Sequence, residues 1–276
     1  MKNSNNSSKE QLFHQIKGEL LAIYEQIRKM RKVTSVNDLR KKLSLLDNLA
    51  HLEVPVCLKQ NIVNDPELQP CLQGILQIHR KLGVQVELEI CETILAGPDP
   101  WEAIENFHYF NNYQFLAKME GITANLLPHD RVVFLGSGPF PLTLILLHRL
   151  FHIKGIGIEI DPGRADLSRR VLEKLSLDKD IQIITGCEDA LVLIKGSKLI
   201  MVAAFAEPRK RIFQRLAEVI GPDTLVSYRI YEKGMRDIFS GQPLDESDLG
   251  GFVEVKRIPP QGNVNNTIIF LKKAGK

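Results

Sequence analysis

From Gln11 to about Met119, apolar side chains recur at three- and four-residue spacing, the period of a helix with one buried face. Leu12, Ile16, Leu20, Ile23 and Ile27 form one stripe, and Leu39, Leu43, Leu46 and Leu49 a second. From Pro66 onward come Leu72, Ile75, Ile78 and Leu82, then Val86, Leu88, Ile90 and Ile94. Asp99-Pro100-Trp101-Glu102 reads as a helix start, with Asp99 as N-cap and Pro100 in the first turn. After Pro128 the pattern changes to short apolar runs that alternate with helical stretches. Strands are expected at Val132–Leu135, Gly155–Ile158, Ile181–Ile184, Leu199–Ala204, Thr224–Tyr228, Phe252–Ile258 and Asn266–Leu271. Helices are expected at Leu142–Phe151, Arg164–Leu175, Asp189–Ile194, Pro208–Ile220 and Tyr231–Phe239. Such alternation predicts a mostly parallel sheet covered on both faces, and the last two strands, with no long helix between them, an antiparallel edge. The expected fold is α/β, with an N-terminal helical bundle over 1–120 and a Rossmann-like domain over 121–276.

The most informative turn is Arg131–Thr143, RVVFLGSGPFPLT. A strand runs into Gly136-Ser137-Gly138 and then into a helix, the arrangement in which bare backbone meets a ligand. The following strand ends in Glu159, 21 residues after Gly138, where an acid usually holds a ribose diol. A dinucleotide fingerprint needs a third glycine, but that position is Pro141, and Pro139 directly follows Gly138. Proline donates no N–H, so the turn suits a phosphate poorly. S-adenosylmethionine (SAM), a nucleoside cofactor without phosphate, fits better.

The 276 residues carry a net charge of +3, with basic residues spread along the chain, which gives no nucleic-acid footprint. The densest basic stretch, Arg28–Lys32, marks a helix C-terminus. No apolar run reaches the ~18 residues of a membrane span, and the polar N-terminus lacks a signal-peptide core. Cys57, Cys71, Cys91 and Cys187 lack metal or disulfide spacing and read as reduced, mostly buried thiols of a cytoplasmic protein. His148 and His152 are four apart, but without a third ligand they suit a helix C-terminus better than a metal, and no catalytic metal is expected.

Several blocks in order carry a family resemblance. They are Leu82-Gly83-Val84-Gln85-Val86-Glu87-Leu88-Glu89, Pro100-Trp101-Glu102, and Phe107-x-Tyr109-x-x-x-Tyr113-x-x-Leu116. The glycine–proline loop follows, then MVAAFAEPRKRIF from Met201 to Phe213, Tyr228-Arg229-Ile230-Tyr231, and Gly262-Asn263-Val264-Asn265-Asn266-Thr267. The chain resembles the nicotianamine synthase family. That resemblance implies transfer of the 3-amino-3-carboxypropyl arm of SAM to an amine, with release of methylthioadenosine. In the family's bacterial branch one arm goes to the α-amine of an amino acid, typically histidine, and an opine dehydrogenase then completes an opine-type metallophore. Other members condense several units. The oligomeric state stays open, a homodimer included.

By the same resemblance Glu87 matches the catalytic glutamate and Tyr113 its partner tyrosine. On pattern alone Glu87, Glu89 and Glu92 read as the wet side of a helix, and Tyr113, Tyr109 and Phe110 as core aromatics. The cofactor-binding candidates are Gly136, Ser137, Gly138, Pro139, Glu159, Cys187, Glu188, Asp189, Ala203 and Ala204. Cys187 stands where an acid often follows the third strand's glycine, so either Glu188 or Asp189 meets the adenine or caps the next helix. Asp161 reads as the cap of the helix that begins at Pro162. Ala203 and Ala204, expected to end the fourth strand, leave backbone for the aminocarboxyl arm or serve close packing. Arg229 has the planar fork to bind a substrate carboxylate, although arginines at strand ends are mostly solvated. Plain methyl transfer and non-catalytic SAM binding are the rival classes.

Overall fold

The computed structural model describes residues 2–29, 46, 49–193, 196–232, 234–235, 238, 249–261, 264 and 266–274, with residues 2–7 and 193 described by backbone alone. The chain divides into two compact units, one of residues 1–86 with 231–243, the other of 87–230 with 244–276. The division falls within a helix at Val86 and Glu87, whereas the sequence pattern placed it near residue 120.

In the first unit, helix α1 (Lys2–Arg28) buries Ile16, Leu20, Ile23 and Ile27, the stripe read from spacing. Helix α2 (Val56–Asn64) buries Leu58 and Ile62. The first part of α3 (Gln69–Ala96) buries Leu72, Ile75, Leu82 and Val86. Tyr24 lies against Gly74, where a Cβ would collide with its ring. Lys17 ties α1 to the turn before α3, with Nζ 2.8 Å from Asp65 and 2.8 Å from Glu67. The chain returns to this unit at Met235, whose N–H donates to Ala50 O at 2.9 Å. Leu39 and Leu43 lie outside the described residues, as do four of the nine residues of the expected Tyr231–Phe239 helix, and of the other five only Ile238 is helical.

The second unit is built on a seven-stranded sheet. Its strands are β1 (Arg131–Leu135), β2 (Lys154–Glu159), β3 (Ile181–Thr185), β4 (Leu199–Val202), β5 (Leu225–Ile230), β6 (Phe252–Ile258) and β7 (Thr267–Lys273). The order is β3-β2-β1-β4-β5-β7-β6, with β1 to β5 parallel and β7 antiparallel to both neighbours. Alternate residues enter two cores, as a pleated strand requires. Val132, Leu199, Met201, Ile268 and Phe270 face one core, while Val133, Ile200, Val202, Ile269 and Leu271 face the other. The first core is covered by the end of α3, α4 (Pro100–Glu105), α5 (Phe110–Thr123), α6 (Leu142–Phe151) and α7 (Pro162–Lys174). The second is covered by α8 (Arg209–Val219) and a 3₁₀ turn at Glu188–Leu193.

Local chemistry accounts for the boundaries. Asp99 caps α4 by accepting from Trp101 N–H at 2.9 Å and Glu102 N–H at 3.0 Å. Asp161 caps α7 by accepting from Arg164 N–H at 2.8 Å. Three expectations are corrected. The fourth strand stops at Val202 rather than Ala204, because Ala203 donates to Leu135 O and its own carbonyl accepts from Ala206, which turns the chain out of the sheet. The helix expected at Asp189–Ile194 is the 3₁₀ turn Glu188–Leu193. Of the thiols, Cys71 and Cys91 are buried but Cys57 is exposed and Cys187 only half-buried.

The strand order reverses between β1 and β4, so these two C-terminal ends diverge and open the crevice in which such sheets hold ligands.

Candidate active site

The glycine loop leaves β1 at this switch point, with Gly136 at φ 78° and Gly138 at φ 70°, backbone that a side chain strains. Its amides are committed internally. Gly136 and Ser137 N–H groups donate to Ile158 O at 2.8 and 3.1 Å, and Gly138 N–H donates to Glu159 Oε2 at 3.0 Å. With the amides of Gly136 to Gly138 committed and Pro139 lacking an N–H, the glycine turn suits a phosphate poorly, a stronger reason than the sequence alone supplied. Ser137 is buried, and its hydroxyl has no hydrogen-bond partner among the described residues. Gly157 on β2 makes room for it, since a Cβ there would stand 2.7 Å from the Ser137 hydroxyl.

Glu159, the acid that closes β2, is 3% exposed. Besides Gly138 it accepts from Asp161 N–H at 2.9 Å, and Arg164 Nη2 stands 2.8 Å from Oε1. Three of a carboxylate's roughly four acceptor sites are therefore filled. The Glu159 carbonyl also accepts from Gly186 N–H at 2.9 Å, which sets the end of β3 beside that of β2.

Glu87 reaches the same glycine from α3. A Cβ built on Gly138 would collide with Glu87 Oε2. One helical turn on, Cys91 Sγ lies 3.3 Å from Pro139 O, so this face of the helix is seated on the loop. Glu87 is half-buried against the loop, and burial pushes its carboxyl up to about 8. The charge of Glu159 adds to the rise and Arg164 opposes it. Among the described residues no hydrogen-bond donor reaches the Glu87 carboxyl. Glu89 and Glu92, on other sides of the helix, are exposed. Gly138→Ala is expected to fold with a loss of about 1–2 kcal/mol from its left-handed backbone and to lose most activity, because the methyl displaces Glu87. Denaturation and turnover of the purified variant check both parts.

The remaining candidates fall into three groups. Ala203 packs on Gly136, where a Cβ would stand 3.1 Å from its methyl, and Ala204 follows in the same turn. Cys187, Glu188 and Asp189 lie after β3, and Arg211 of α8 binds both acids. Glu188 is buried, whereas Asp189 is exposed, also lying 3.7 Å from Arg215 and 3.6 Å from Cys187 Sγ. Tyr113 and Arg229 belong to a buried cluster that sequence reasoning only half saw. Arg229 Nε donates to Glu120 Oε1 at 3.1 Å, and Nη2 to Glu120 Oε2 at 2.6 Å and Thr143 Oγ1 at 3.3 Å. Its guanidinium also lies 5.7 Å from the centre of the Tyr113 ring. Arg229 is thus not a solvated strand-end arginine but the buried partner of a buried acid.

Two features lie elsewhere. His148 and His152 sit with Trp101, Arg149 and Leu177 around a surface cavity at the opposite end of the strands. His148 Nδ1 is 2.8 Å from Ile153 O, and His152 is the left-handed cap of α6. Among the described residues no three histidine, cysteine or acidic side chains are grouped to hold a metal, and no helix is long and apolar enough to cross a membrane.

The sequence-family model described as "Nicotianamine synthase protein" matches residues 6–276. Nicotianamine synthase 3 of Arabidopsis thaliana is 26% identical over 273 residues, 87% of this chain and 83% of that protein. Nicotianamine synthase 3 of Oryza sativa subsp. indica is 25% identical over 202 residues, 68% of this chain and 59% of that protein. The chain thus spans less than two thirds of the rice relative's length. Among solved structures, MtNAS in complex with MTA and tNA superposes with a TM-score of 0.85 at 29% identity, covering 96% of this chain and 98% of that one. A mutant of MtNAS in complex with S-adenosylmethionine gives 0.83 at 29% identity, covering 94% and 98%. A match that runs from the N-terminal helices to the last strand places the chain in the nicotianamine synthase family.

Proposed function

We propose that the protein transfers the 3-amino-3-carboxypropyl group of SAM to the α-amine of an amino acid and releases methylthioadenosine. The observation that carries this reading is the Glu87 carboxyl set against Gly138, with its proton held up to about 8. The chain's residues suit such a donor. The loop offers bare backbone and the unpartnered Ser137 hydroxyl, Glu159 keeps one acceptor site for a ribose hydroxyl, and Ala203 and Ala204 leave room beside Gly136. Cys187 with Glu188 or Asp189 lines the adenine end, on this reading.

Bound SAM supplies an electrophilic carbon on a positively charged sulfur. The protein's task is to aim an amine at the right carbon and to keep it unprotonated. An α-amine titrates near ~8, and a carboxyl held at about 8 exchanges a proton with it at little cost. In the transfer, the amine nitrogen forms a bond to the γ-carbon and the carbon–sulfur bond breaks. Its electron pair stays on sulfur as a neutral thioether, and the amine proton goes to Glu87. Tyr113 and Arg229 then position the acceptor, the tyrosine at its amine and the arginine at its carboxylate. The carbon that reacts follows from where the amine is held, because attack must be in line with the departing sulfur.

The acceptor proposed is histidine, one unit being transferred in a cytoplasmic route to an opine-type metallophore, with an opine dehydrogenase acting on the product. The names of the curated relatives favour a second reading, condensation of several SAM-derived units. Incubation with SAM and histidine, followed by mass spectrometry, separates the two. One aminocarboxypropyl group on histidine supports the first, and a multi-unit product formed without histidine overturns it in favour of the second.

A further inference from the structure

Gly138 carries two carboxylates. Glu159 Oε2 accepts its N–H at 3.0 Å, while Glu87 Oε2 presses on the side where its Cβ would be. Two acids around one glycine repel each other, and the charge of Glu159 adds to the rise that burial gives Glu87. The compensating charge comes from Arg164, in the first turn of α7 and 2.8 Å from Glu159 Oε1. Arg164 is held from below as well, because its backbone N–H binds Asp161, and Asp161 N–H in turn binds Glu159. Its Nε is buried without a hydrogen-bond partner and lies 3.9 Å from Asp161 Oδ1. A surface tie would not need a buried donor so placed.

We infer that Arg164 is a positioning residue for the transfer: by compensating Glu159, it lets the glycine loop carry the second carboxylate, Glu87, that takes the amine's proton. The inference rests on the proposed transfer for the role of Glu87. Among the described residues, the charged and titratable groups around Glu87 are few. Glu159 comes from β2 and Arg164 from α7, and on its own helix Cys91 stays a neutral thiol, pushed up to about 12 by burial. Removing Arg164 takes away the one cation among them and leaves Glu159 to repel Glu87. The limb of the pH–rate profile on which Glu87 loses its proton therefore moves to higher pH. Arg164 is about a quarter exposed, its side chain at 28%, so solvent screening limits the move to on the order of one pH unit.

The test compares Arg164→Gln and Arg164→Lys with the unaltered protein. Methylthioadenosine release is followed across about pH 6 to 9, together with proton release on SAM binding by calorimetry in two buffers of different ionisation enthalpy. The expected result is an acid limb and a proton-release profile that both move upward in Arg164→Gln and return in Arg164→Lys. Equal loss of rate in the two variants with neither profile moved would overturn the inference and leave Arg164 a structural tie. Proton release by the unaltered protein needs no variant. Release near pH 7 with SAM, and none with methylthioadenosine, supports the charge balance, and its absence with SAM overturns it. If S-adenosylhomocysteine is the nucleoside formed, the proposed transfer fails, while the binding profile still reports on Arg164.

Discussion

Glu87→Gln is expected to lower turnover by roughly 10²–10⁴-fold while SAM still binds. The amide keeps the shape that rests on Gly138 but cannot take a proton. The same variant is expected to gain stability where it loses activity. In the folded chain the Glu87 carboxyl holds its proton up to about 8, against an ordinary value near ~4.3 in the unfolded chain. Its stabilising contribution is therefore complete below the unfolded value and is lost as pH rises through the folded one. Glutamine has no proton to lose. Thermal unfolding of the ligand-free proteins should show the variant pulling ahead between about pH 4 and pH 8. Parallel curves would mean that the carboxyl is not held out of water, and the proton-transfer role would lose its physical basis.

The second large effect is expected at Glu120. This side chain is 1% exposed and binds both Arg229 nitrogens that face it. Glu120→Ala leaves a buried guanidinium without its anion, at a cost of roughly 3–5 kcal/mol. Replacing both partners with apolar side chains of similar size, Glu120→Leu with Arg229→Met, removes the uncompensated charge and should recover most of that loss. The pair of experiments also separates two roles of Arg229. If it serves packing alone, the double variant regains turnover with stability. If it also holds the acceptor's carboxylate, as proposed, the double variant folds but does not turn over. Denaturant unfolding and initial rates on the same preparations decide between them.

Much of the sheet was legible because each strand is a short apolar run bounded by a polar turn, and the second unit keeps that rhythm from β1 to β7. The loop and Glu159 were legible because their spacing reflects a fixed βαβ geometry: the hydrogen bond from Gly138 to Glu159 spans those 21 residues. Glu87 was not distinguishable from Glu89 and Glu92 by pattern, since all three are acids in one apolar stretch. What separates it is contact with a loop about 50 residues away, a tertiary fact that helical period does not contain. Its i+4 neighbour Cys91, an apolar thiol on the same face, was the available signal. Glu120 had no signal, because its partner lies 109 residues on. Arg164 looked like any charged residue in a first helical turn. The end of β4 was missed because Ala203 and Ala204 continue the apolar run past the point where Ala203 and Ala206 close a turn.

Taken together, the loop presents a phosphate-free surface and the helical face with Glu87 presents the proton acceptor. The central claim is that this pairing breaks the bond from sulfur to the aminocarboxypropyl arm and leaves the methyl on sulfur. The leaving nucleoside reports it directly. Purified protein given SAM and an amino-acid acceptor, with products resolved by chromatography and mass spectrometry, is expected to yield methylthioadenosine in step with product. Accumulation of S-adenosylhomocysteine instead would contradict the account, because the methyl group would have moved.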